Sequence, residues 1–133
     1  MKLFFALSLL LALCSANAAE TKLPDLSGVT DGGLKIEIYS ELSPLSINQI
    51  HSWQLRVLDD NNRALELEEL LVIGGMPEHD HGLPTQPQLT GRLDNGDYLL
   101  EGLRFHMQGL WQIHIEMQVN GLVDTAIIEF KLQ

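Results

Sequence analysis

The chain reads as an all-β protein, an antiparallel sandwich of about seven short strands. Three observations predict this. Apolar and polar residues alternate along several segments, as half-buried strands require. Tight-turn signals separate those segments, chiefly Asp94-Asn95-Gly96 and Asn120-Gly121. No stretch carries a sustained helical period; Glu66 to Leu71 could make one helical turn, since Leu and Glu favour helices.

The elements follow in order. Residues 19–33 hold Pro24, Gly28, Gly32 and Gly33 among few apolar side chains and read as a flexible lead-in. The domain is therefore placed at 34–133. Leu34, Ile36 and Ile38 face one way, opposed by Lys35, Glu37 and Tyr39. His51, Trp53, Leu55 and Val57 share the next inward face, and Asp59 to Asn62 turns the chain. Leu70 to Ile73 is a short apolar run. Residues 76–87 carry Pro77, Gly82, Pro84 and Pro87 and read as a loop. Leu89 to Leu93 makes a short strand. Tyr98 to Met107 makes a longer one, with Gly102 a bulge candidate. Trp111, Ile113, Ile115, Met117 and Val119 alternate against Gln112, His114, Glu116 and Gln118. Ala126, Ile128, Phe130 and Leu132 close the domain. Trp53 and Trp111, both inward, are expected to form the central packing pair.

The N-terminus reads as an export signal. Lys2 is followed by an apolar run from Leu3 to Leu13 and then Ser15-Ala16-Asn17-Ala18, a cleavage pattern that places the cut after Ala18. Cys14 raises acylation as an alternative, but Leu13 stands where that processing needs a small residue. The apolar run is shorter than the about 20 residues that span a bilayer. The expected product is periplasmic, with no integral membrane segment after processing. Removing residues 1–18 leaves 115 residues without cysteine, and removing Lys2 takes the net charge from −10 to −11. An acidic surface disfavours nucleic acid and anionic lipid and suits cations or a basic partner. No phosphate-binding glycine loop, nucleophile elbow or HExxH pattern is present, and Ser52 beside His51 points to the opposite strand face. The chain is not read as an enzyme.

The chemistry concentrates in two short segments. Met76-Pro77-Glu78-His79-Asp80-His81-Gly82 and Phe105-His106-Met107 bring together two thioethers and three imidazoles. Thioether sulfur is soft and imidazole borderline, a combination that suits copper, Cu(I) above all. An extended backbone would point His79 and His81 the same way, while Pro77 and Pro84 stiffen the loop. The alternative is a solvated loop that Glu78 and Asp80 keep wet. Strand parity sends Met107 inward with Leu103 and Phe105, as core filler, and His106 outward; a strand ending near Phe105 would release both toward one site. His51, inward beside Trp53, is a ligand or supporting candidate, or a core histidine bonded to a backbone carbonyl.

The runs GGMPEHDHGLPTQP and GDYLLEGLRFHMQGLWQIHIE resemble the YtkA-like and FixH-like family of small exported domains over roughly residues 34–132. The resemblance implies an immunoglobulin-like β-sandwich outside the cytoplasmic membrane. It also implies a link to copper handling or respiratory-oxidase maturation through Met and His ligands. Met76, His79, His81, His106 and Met107 match the MPxHxHG and FHMxGxW blocks, and His51 in INQIHSWQLRV fits the block before them. FixH-like members often carry a membrane anchor, whereas the N-terminal segment here reads as cleavable.

The leading expectation is a periplasmic copper chaperone or buffer with a cuproprotein acceptor or metal-donor protein as partner. A zinc site of His79, His81 and His106 with Asp80 or Glu78 competes with it, as does a metal-free interaction domain using exposed strand edges.

Overall fold

A computed structural model describes residues 22–133; the segment read as a signal peptide, Cys14 included, lies outside the described residues. Alternating apolar residues build nine strands among them. These are β1 (Leu26–Val29), β2 (Lys35–Ser40), β3 (His51–Leu58), β4 (Glu69–Met76) and β5 (His81–Gly82), then β6 (Gln88–Arg92), β7 (Tyr98–Leu103), β8 (Gly109–Val119) and β9 (Leu122–Leu132). All pairings are antiparallel, in a five-stranded sheet of order β1-β2-β3-β7-β6 and a four-stranded sheet of order β5-β4-β8-β9.

The inward residues of both sheets meet in one core. Ile36, Ile38, Trp53, Leu55 and Val57 come from the first sheet, and Val72, Met76, Trp111, Ile113, Ile115 and Ile128 from the second. This is the all-β, two-sheet class the alternation predicts. The helical turn weighed at Glu66 to Leu71 does not form. Leu65 instead donates to the Val57 carbonyl and Glu68 to that of Gln118, which ties this stretch to both sheets.

Three further expectations change. Leu26–Val29, placed in the lead-in, pairs with β2 through Ile38 to Lys35, so ordered structure begins before residue 34. Only Leu26 and Gly28 of β1 are even partly covered, which is why the segment showed no apolar face. The indoles of Trp53 and Trp111 do not form the central pair themselves. Phe105 stands between them, with ring centroids 5.9 Å from Trp53 and 5.0 Å from Trp111. Finally, β7 stops at Leu103 rather than running to Met107.

The bulge at Gly102 explains that stop. Leu103 pairs with His51 and Glu101 with Ser52, so Gly102 is the extra residue, at φ +87°. That left-handed conformation is nearly free only for glycine. It turns the chain off the sheet, and residues 104–108 cross toward β8 at the edge of the core.

Candidate functional site

Two short hairpin features carry the site. After β4 the chain reverses through Pro77 to Asp80, closed by the His79 amide donating to the Met76 carbonyl at 3.1 Å. Asp80 takes φ +52°, a conformation that aspartate tolerates better than most residues. The chain then re-pairs at once, Met76 opposite His81 and Gly75 opposite Gly82. The backbone around His79 and His81 is therefore a turn leading into a bridge, not the extended strand expected. Their rings still lie near each other, stacked with centroids 5.7 Å apart and planes 19° from parallel.

The second segment meets the first. His106 lies 4.9 Å from His81, ring centroid to ring centroid. The indole of Trp111 walls both imidazoles, 5.7 Å from His106 and 6.4 Å from His81, nearly perpendicular to the first. The pocket beside this cluster is lined by Met76, Pro77, Asp80 and His81 on one side and Gln112 and His114 on the other. The sequence alone left open whether the two motif segments touch. They do, at the rim between the sheets.

Each methionine has a different place. Met76 is only 1% exposed, and its methyl group lies beneath the loop that carries His106 and Met107: a Cβ added at Gly109 would stand 2.7 Å from Met76 Cε. Gly109, at φ +130°, thus lets β8 begin directly over the thioether. Met107 is 37% exposed, contrary to the inward parity expected of it. The cause is the early end of β7, since strand parity lapses beyond Leu103. Its backbone is held by the Trp111 indole, whose Nε1–H donates to the Met107 carbonyl at 3.0 Å.

The electrostatics favour neutral imidazole at the centre. Burial lowers the pKa of His106 below its ordinary value, and the nearby His81 and Arg104 push the same way. Its Nδ1 is buried without a hydrogen-bond partner. A buried nitrogen left unpaired costs free energy unless something coordinates or hydrogen-bonds it.

His51 lies apart from this cluster. It is buried, its Nδ1 lies 3.1 Å from the Gln49 carbonyl, and its ring contacts Phe105 and Trp53. Phe105 and Trp111 intervene between it and the other imidazoles. Glu78 and Asp80 are exposed on the turn. Among the described residues, no three His, Cys, Asp or Glu side chains are gathered closely enough to hold a metal ion by themselves. Any metal at this rim would therefore draw on a thioether or on movement of His79. Two residues missed by sequence reasoning complete the arrangement: Gly109, which clears room for Met76, and Trp111, assigned only to the core. Their signal was present in the FHMxGxW spacing.

No curated protein and no solved structure matches the chain. A family model described as YtkA-like matches residues 29–116. That match takes in β2, β3 and the two segments that meet at the rim, and by it the chain belongs to the YtkA-like family.

Proposed function

We propose that this domain is an exported copper-binding protein, a periplasmic chaperone or buffer that holds Cu(I) at the rim where the two motif segments meet. The observation that carries the reading is the convergence of His81 and His106 at 4.9 Å, with His106 Nδ1 buried and unpaired. His81 and His106 supply imidazole nitrogen, and Met107, exposed beside them, supplies a thioether. His79 stacks on His81 at the solvent side and serves as the entry ligand. Met76 lies buried under the same loop and supports it, or adds a second thioether after a small shift.

The donor set favours copper over zinc. Structural zinc sites take four nitrogen, sulfur or oxygen ligands from Cys, His and carboxylates. Here no three such groups converge among the described residues. Soft thioether with one or two imidazoles is what Cu(I) selects, and it permits release to a partner by ligand exchange. The acidic surface, net −10 for the whole chain, suits a basic acceptor or donor protein.

The test is competition against a chromophoric Cu(I) chelator. The wild-type protein should retain Cu(I), the His81→Ala/His106→Ala double variant should lose it, and Met107→Leu should weaken Cu(I) while sparing Zn(II). Equal Cu(I) retention by the double variant overturns the proposal.

A further inference from the structure

We propose that Trp111 is a positioning residue for the thioether arm of this rim, and that through it the indole sets the preference for copper over zinc. The inference rests on the copper reading above.

Trp111 is fully buried, paired in register with Phe130 on β9 and packed edge-on against Phe105 at 5.0 Å. Its ring is thus fixed within the core. From that fixed ring, Nε1–H donates to the carbonyl of Met107 at 3.0 Å, four residues back. Residue 107 lies beyond the end of β7 and before the start of β8, outside either ladder. The hydrogen bond therefore ties an otherwise irregular segment to the core at the partly exposed methionine. The same indole lies edge-to-face with His106 and His81, at 5.7 and 6.4 Å between centroids. One side chain thus borders both imidazoles and anchors the backbone that carries the thioether. The bond is not a generic consequence of burying an indole, because the N–H of Trp53, equally buried, has no partner.

Supporting groups that orient metal ligands without touching the metal typically change affinity about 10–100-fold when removed. Trp111 acts on the segment bearing the soft ligand, so its loss should fall on Cu(I), which uses sulfur, and spare Zn(II), which does not. A residue that merely filled the core would weaken both metals alike, through the fold.

The experiment is a double-mutant cycle on the full chain, reading Cu(I) and Zn(II) affinities by chelator competition. Trp111→Phe keeps a ring but removes the donor. Expected is an about tenfold loss of Cu(I) affinity in Trp111→Phe, unchanged Zn(II) affinity, and a Trp111→Phe/Met107→Leu protein no weaker for Cu(I) than Met107→Leu alone. Additive losses, an unchanged Cu(I) affinity, or equal losses for both metals overturn the inference. Wild-type protein supplies a readout that does not depend on the variant folding. In a ¹⁵N-labelled sample the Trp111 indole N–H resonance, identified with Trp53→Phe, should shift on adding Cu(I) while that of Trp53 stays put. An unmoved Trp111 resonance in protein that has bound Cu(I) also overturns it. Failure of the wild type to bind Cu(I) at all overturns instead the copper reading.

Discussion

At the scale of single residues, Gly109 and Asp97 show how local chemistry is constrained by the neighbouring strand of the same sheet. Gly109 combines φ +130° with a methionine methyl where its Cβ would go. Gly109→Ala should destabilise by about 1–3 kcal/mol, as strained backbone at a non-glycine residue does. Shortening Met76 in the same protein should not restore stability, because the dihedral cost remains; chemical denaturation measures both. Asp97 is fully buried and accepts two hydrogen bonds from one guanidinium, Arg56 Nε at 2.8 Å and Nη2 at 2.9 Å. Asn95 adds a third donor at 2.9 Å, and Arg56 also lies over the Tyr39 ring. The Asp97 bonds hold the Arg56 pKa above its already high ordinary value, although burial works against it. Removing Arg56 would leave a buried carboxylate unpaired. Arg56→Ala should cost about 2–3 kcal/mol in urea unfolding, below the range for fully buried pairs because Arg56 is 31% exposed. Arg56→Lys should recover only part of that, since an ammonium cannot match the two-pronged geometry.

At the scale of elements, the turn between β1 and β2 is stitched to β9 of the other sheet. Asp124 accepts from the Thr30 hydroxyl and from the amides of Gly32 and Thr125, while Asp31 and Thr125 exchange two further bonds. Burial alone would raise the Asp124 pKa, but those three donors outweigh it and the net shift is downward. A carboxylate with a lowered folded-state pKa contributes stability that is complete above the unfolded value, about 3.9, and is lost as pH falls through the folded one. Thermal unfolding of the wild type should therefore weaken below about pH 4, and Asp124→Asn should show a shallower decline over that window. The hairpin from β8 to β9 was readable in advance. Asn120 and Gly121 take φ +51° and +75°, the pair of left-handed residues that a two-residue turn demands. The apolar run of β4 was less readable. Its outward positions Leu71 and Ile73 are exposed while Val72 and Met76 are buried, so the pattern showed no alternation.

At the scale of the whole molecule, a metal held by the folded rim alone should stabilise the entire domain. At a free Cu(I) concentration 100 times the dissociation constant, linkage contributes about 2.7 kcal/mol. For a domain of this size that raises the melting temperature by roughly ten degrees, and the rise should vanish in the His81→Ala/His106→Ala protein. A rise that persists there would place the metal elsewhere on the surface.

The sequence by itself determined the class of fold, because period-two alternation and turn chemistry are local and survive without knowledge of neighbours. It also determined the donor inventory, since His79, His81, His106, Met76 and Met107 stand in two short blocks. Only the tertiary structure decided which donors meet. The bulge at Gly102 ends β7 early and frees Met107 from the core, while Phe105 and Trp111 wall His51 away from the other imidazoles. Gly102 was legible as a bulge candidate, but where the strand then ends and which ring wedges between the two sheets are long-range packing outcomes that local spacing does not encode.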